Sequence, residues 1–193
     1  MNTNVDFSGT NNQEENVDEA DLLKTDGRYI YTFARGILSI IRAYPFYQAE
    51  VLSTIKFAAK PSSLFIEGDN MAVFGTEKNK IYGSVTYVKV FNIKNRSDPK
   101  QVREYKFEGK YLDGRKTKDG FIYLISNHKI YKRVSPTPWF LVGLIETFLD
   151  LDQLFYYKDE YVNPEYVNIF SFNLKNIIKE EVNIVSVITD RAR

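Results

Sequence analysis

The sequence predicts an all-β chain: a partial β-propeller of about three four-stranded antiparallel blades, with one short helix inserted in the third blade. Three observations predict it. A unit of strand, polar turn and strand occurs three times, as ADLLKTDG-RYIYTF, SSLFIEGDN-MAVFG and YLDGRKTKDG-FIYLIS. Apolar residues alternate with the strand period of two, Tyr29, Tyr31 and Phe33 against Ile30 and Thr32. Turn chemistry falls at the same place in each unit, at Asp26-Gly27, Gly68-Asp69-Asn70 and Asp119-Gly120. Four antiparallel strands repeated every ~40–50 residues mark propeller blades.

Taken in order, Met1–Asn16 is polar and acidic and reads as a disordered lead-in. Residues 17–193 form the propeller part, with blades at about 20–57, 62–107 and 110–187. The third strands are ILSIIRAY, YVKVFNIK and YVNIFSFNL, and the fourth are AEVLSTIKF, PKQVREYKF and EEVNIVSV. The last two strands of units one and two align without a gap, from Ile37/Tyr87 to Phe57/Phe107. Runs apolar on both faces, such as ILSII, are expected where one sheet stacks between two others. The segment Ser135–Pro164 interrupts the third unit. Thr137-Pro138 can start a helix, and Leu141, Leu144, Ile145, Phe148, Leu151 and Phe155 fall near helical spacing. A helix packed on the blade, or an irregular loop, is expected there. Glu146, Asp150 and Asp152 break the ~20-residue apolar run that a membrane span needs.

Composition narrows the function classes. With 193 residues, 44% hydrophobic and with 14 Tyr and 14 Phe, the chain can build one sizeable core. A net charge of +1 gives no basic excess for nucleic acid. The absence of cysteine excludes disulfides, thiolate zinc sites and cysteine nucleophiles. His128 is the only histidine, and no GxSxG elbow or glycine-rich phosphate loop accompanies it. It reads as a turn residue. Lys78, Lys80, Lys94, Arg96 and Lys100 are interleaved with aromatic positions and Asp98, which reads as solvated loops. The lead-in lacks the basic start and apolar run of a signal peptide.

The segment TNNQEENVDEADLLKTDGRYIY, Thr10–Tyr31, resembles the TN-Q-EGVDEADIVKTDG-YIY opening of a family of archaeal and bacterial secreted proteins. These carry a C-terminal β-propeller distantly related to WD40 repeats. The resemblance continues through AYPFYQAEVLSTIKF, FIEGDNMAVFG and VKVFNIKNRSDPKQVREYKFEGKYLDGR to FIYLISN. It departs at Asn16, where the family usually has glycine. The resemblance implies an extracytoplasmic protein, secreted or on the cell surface, that serves as a binding module. It implies no catalytic residues. Members are longer than this chain, and three blades cannot close a ring of ~4–8. The expectation is the N-terminal part of a propeller, or a short relative whose open blade edges self-associate.

The candidate site residues are the acidic cluster Asp18, Glu19, Asp21 and Asp26, with Asp113 and Arg115 from the first strand of unit three. Oxygen ligands at that density suit calcium, but the spacing is not that of an EF-hand. Strand alternation also points Asp18 and Glu19 to opposite faces. Capping turns, or pairing with a lysine or arginine of a neighbouring blade, is the weightier use. Asp113 and Arg115 either face a ligand in the central channel or form a structural ion pair. The function expected is a non-catalytic binding or scaffold module without cofactor. Its partner would be a protein, glycan or other surface ligand, held near the loops that lead into the first strands. The alternatives are an enzyme completed by further blades and a self-associating structural piece.

Overall fold

The computed structural model describes residues 17–130, 135–157, 161–177 and 182–190, so the lead-in 1–16 and its Asn16 lie outside the described residues. The chain opens with β1 (Val17–Glu19). The first blade follows: β2 (Leu23–Thr25), β3 (Tyr29–Ala34), β4 (Ile37–Arg42) and β5 (Glu50–Lys56). The second is β6 (Pro61–Glu67), β7 (Asn70–Asn79), β8 (Gly83–Asn92) and β9 (Lys100–Glu108). The third begins with β10 (Lys110–Thr117) and β11 (Phe121–Lys129). After the insertion strands β12 (Trp139–Val142), β13 (Ile145–Phe148) and β14 (Leu154–Tyr156), it ends with β15 (Pro164–Asn173) and β16 (Asn183–Asp190). Within each blade the four strands are a meander of antiparallel neighbours.

Blade two lies between the other two and buries both faces. Leu64, Met71, Val73, Tyr87 and Phe91 pack on Tyr31, Leu38 and Ile40 of blade one. Their alternates, Phe65, Ala72, Phe74, Val88 and Val90, pack on Ile122, Leu124, Phe170 and Phe172 of blade three. The two-faced apolar character expected of ILSII therefore belongs to MAVF and VKVF instead. In β4 Ile37 is exposed, because blade one packs on one side only.

The insertion differs from the helix that its spacing suggests. Gly143, at φ 62°, turns the chain between β12 and β13, and this hairpin extends blade two by pairing β12 with the free edge of β9. Two forces outweigh the helical periodicity. A mid-run glycine weakens a helix, and the outer edge of β9 offers unpaired backbone groups to a strand-forming WFLV run. Among the described residues of the segment, the only helical piece is a single 3-10 turn, Leu151–Gln153. β14 then pairs in parallel with β16 and widens blade three. Among the described residues no helix is long and apolar enough to cross a membrane.

Burial raises the pKa of several core phenols above the usual value of 10. Burial pushes Tyr111 up to about 12, with Asp113 adding to the rise against a hydrogen bond from Ser63. Burial also raises Tyr31 and Tyr87. A raised pKa means that the fold favours the neutral phenol. The stability this confers is complete below pH 10 and is lost as pH rises through the folded values. Denaturant melts monitored at alkaline pH are expected to show stability falling between pH 10 and about 12, and Tyr111→Phe is expected to flatten part of that fall.

Candidate functional site

The acidic opening folds as a strap along the inner edges of the blades. β1 pairs antiparallel with β10, the innermost core strand of blade three, in the register Val17↔Thr117 and Glu19↔Arg115. Two residues on, the Asp21 carbonyl accepts the Leu64 amide of blade two at 2.9 Å. The chain then becomes β2, the innermost strand of blade one. One short segment thus hydrogen-bonds the inner strands of blades three and two and then forms that of blade one, covering edges that would otherwise be open.

The strap separates its carboxylates. Asp18 turns to Lys24, whose ammonium lies 2.6 Å from Oδ1 and above the Phe65 ring, with only 6% of the side chain exposed. Glu19 points to the other side and lies 3.5 Å from Arg115, which also holds Asp113 at 2.6 Å. Strand alternation accounts for this split. Asp21 caps its own turn by accepting the Leu22 amide. Asp26 accepts the amides of Arg28 and Tyr29 and the Tyr31 hydroxyl, closing the Thr25–Tyr29 hairpin turn. Of the six candidates, Glu19, Asp113 and Arg115 converge, as a partly exposed charge triplet across β1 and β10. Asp18, Asp21 and Asp26 serve separate local structures. Among the described residues no group of three His, Asp or Glu side chains is placed to hold a metal ion.

Arg96, which the sequence places among solvated loop residues, is instead mostly buried. It lies between the Asp-Gly turns of blades one and two, donating to Asp69, to the Gly68 carbonyl and to the Tyr31 hydroxyl. Its guanidinium lies 3.5 Å from Asp26 and stacks over Tyr29. Burial alone would disfavour the cation, but the bonds to Asp69 and Tyr31 outweigh it and raise the Arg96 pKa. A matching clamp joins blades two and three, where Lys116 and Lys175 both reach Glu67, at 2.8 and 3.5 Å. Removing the Asp18 carboxylate would strand a nearly buried ammonium. Asp18→Asn is expected to cost about 2 kcal/mol, below the full value for a buried pair because Asp18 is partly exposed. Thermal melts of this variant against Asp21→Asn, expected to be nearly silent, check it.

The opposite end of the blades carries the insertion. The hairpin is anchored by the Trp139 amide, which donates to the buried Glu108 carboxylate at 2.8 Å, and by stacking of the Trp139 ring on Tyr82 at 4.5 Å. Beyond this anchor the hairpin presents Leu144 and Ile145 to solvent, Leu144 being 98% exposed, and the segment after it presents Leu151, Phe155 and Tyr156. The sequence reading places Leu144 and Ile145 on a helix packed on the blade or in an irregular loop. Only the strand register reveals that they point outward.

A propeller fold assembled from strapped and clamped blades agrees with the sequence comparisons: the beta propeller domain family matches residues 7–192, and the chain belongs to that family. An uncharacterized protein of Methanocaldococcus jannaschii is 29% identical over 119 residues, which cover 62% of this chain and 17% of that protein. No solved structure matches.

Proposed function

We propose that this chain is a non-catalytic binding and scaffold module of an extracytoplasmic β-propeller protein, docking a protein partner through the insertion. The observation that carries the reading is the set of exposed apolar side chains on the insertion: Leu144 and Ile145 at the tip of a hairpin fixed at its base by Trp139 and Glu108, and Leu151, Phe155 and Tyr156 on the segment that follows it. Exposed apolar side chains grouped on a rigid support are the usual form of an interaction surface. The carboxylates of the strap support the same reading. Asp18, Glu19, Asp26 and Asp113 already have cationic partners, so the reading includes no cofactor. Calcium is accordingly expected to leave the melting temperature unchanged.

Cross-linking of the purified chain to cell-envelope extract tests the proposal. Cross-links are expected to map to residues near Leu144–Tyr156, and Leu144→Ser with Ile145→Ser is expected to abolish them while the melting temperature holds. Cross-links elsewhere, or indifference to the double variant, would refute it. A second reading, self-association, draws on the outward faces of the end blades, where Val51, Tyr123 and Ile169 are exposed. Light scattering that finds a monomer at all concentrations would eliminate it.

A further inference from the structure

A cavity of about 360 Å³ opens between blades two and three, at the end opposite the Asp-Gly turns. It is lined by Lys78 and Ser84 from the β7–β8 hairpin, by Lys110 at the start of β10, and by Asn127, His128 and Lys129 at the end of β11. Glu165 of β15 completes it. We propose that this cavity binds a small sugar carrying a phosphate or sulfate ester. The site is separate from the insertion's exposed apolar side chains and stands or falls without them.

Charge is the first argument. The whole chain is nearly neutral, at +1, yet among the described residues this one cavity gathers three lysines against a single carboxylate. Like charges gathered in a concave surface with protein walls focus a positive potential. Elsewhere the lysines between strands are neutralised: Lys106 by Glu77 at 2.7 Å, Lys116 by Glu67 at 2.8 Å, Lys24 by Asp18. Among the described residues neither Lys110 nor Lys129 has a carboxylate partner, and Lys78 has only a long 3.5 Å contact to the Ser84 hydroxyl. An oxyanion with several acceptor oxygens would relieve that repulsion through charge-assisted hydrogen bonds.

The rest of the lining sets the body of the ligand. Ser84 and Asn127 offer donors and acceptors, and Glu165 an acceptor. Glu165 is nearly buried and is held by the Asn127 amide at 3.2 Å. Lys110 lies opposite Asn127, and Lys129 opposite Glu165, in sheet register, so two of the cations are placed beside polar groups by the backbone ladder. A polyhydroxy body bearing one charged ester matches this combination of cation, amide, hydroxyl and carboxylate. Among the described residues no Phe, Tyr or Trp ring lines the cavity to stack a nucleobase. The volume falls within the ~300–1,000 Å³ typical of small-ligand sites.

Isothermal titration calorimetry of the full chain at low ionic strength decides the matter, with glucose-6-phosphate, glucose-6-sulfate and glucose as probes. Both esters are expected to bind, the neutral sugar to give no heat, and added salt to weaken the esters. The relative affinity of the two esters identifies which oxyanion the site takes. The double variant Lys110→Gln with Lys129→Gln is expected to weaken the preferred ester by at least about tenfold, while Lys100→Gln, outside the cavity, leaves it unchanged. Three results would overturn the proposal: no heat from either ester at millimolar concentration, glucose binding as well as its esters, or the double variant binding like wild type. Melting temperatures of the variants, expected to be unchanged for these exposed lysines, keep loss of binding distinct from loss of fold.

Discussion

Replacing Arg96 with methionine is expected to lower stability by about 3 kcal/mol, the low end of the cost of removing one partner from a buried ionic network. Methionine keeps much of the stem volume, so the loss isolates the guanidinium. That one group donates to Asp69, Gly68 and Tyr31, lies 3.5 Å from Asp26, and covers the Tyr29 ring. Without it the Tyr31 hydroxyl and the Asp26 carboxylate remain hydrogen-bonded to each other, but the carboxylate loses its counter-ion at the seam between blades one and two. For a chain of this size the melting temperature should fall by about 6–12 °C. A double-mutant cycle with Asp26→Asn would show coupling, since the two side chains share one network. A melting temperature within a degree of wild type would show that the seam depends on apolar contact alone.

Gly109→Ala should be as damaging, at about 3 kcal/mol or more. Gly109 links blade two to blade three at φ +102°, where any L side chain is strained. A Cβ there would also lie 2.7 Å from the Asn127 carbonyl oxygen and 2.8 Å from the Ser126 hydroxyl. Neither neighbour can retreat cheaply. The Asn127 carbonyl is backbone of β11, and the Ser126 hydroxyl donates to the Glu108 carbonyl and is itself bonded by the Asn168 amide inside blade three. The Gly109 carbonyl meanwhile accepts the buried Thr86 hydroxyl. Denaturant melts would measure the loss, and Gly36→Ala provides the comparison. That glycine also has positive φ but no atom within 4 Å of its Cβ position, so it should cost only the backbone strain.

Legibility in the sequence followed the range of the interaction. The Asp-Gly turns and the period-two strands are local, and they place the blades and hairpins. The β1 strand is not local. Val-Asp-Glu is too short to show a period, and its partner begins almost a hundred residues later at Arg115. The polar residues Thr76–Ser84 hid the extension of β7 and β8, because a strand tip held only by its hairpin partner needs no apolar signature. In the insertion the apolar spacing was compatible with a helix, and only the waiting edge of β9 decides otherwise. The acidic cluster stood out in the sequence as a group. Its division into Asp18–Lys24 and Glu19–Arg115–Asp113 depends on a register that no local pattern encodes. Arg96 looked like a loop cation because its anchors, Tyr31 and the Gly68–Asp69 turn, are far from it in the chain.

The strap also sets an order of events during synthesis. Residues Val17–Glu19 leave the ribosome before any blade, and their pairing partners, Arg115 to Thr117, emerge only after two complete blades. Until then the opening carboxylates stay solvated, and blade three has no inner edge for them to seal. Closing so long a loop is slow relative to forming a hairpin. The strap, made before any of the blades, is thus among the last elements to find its place.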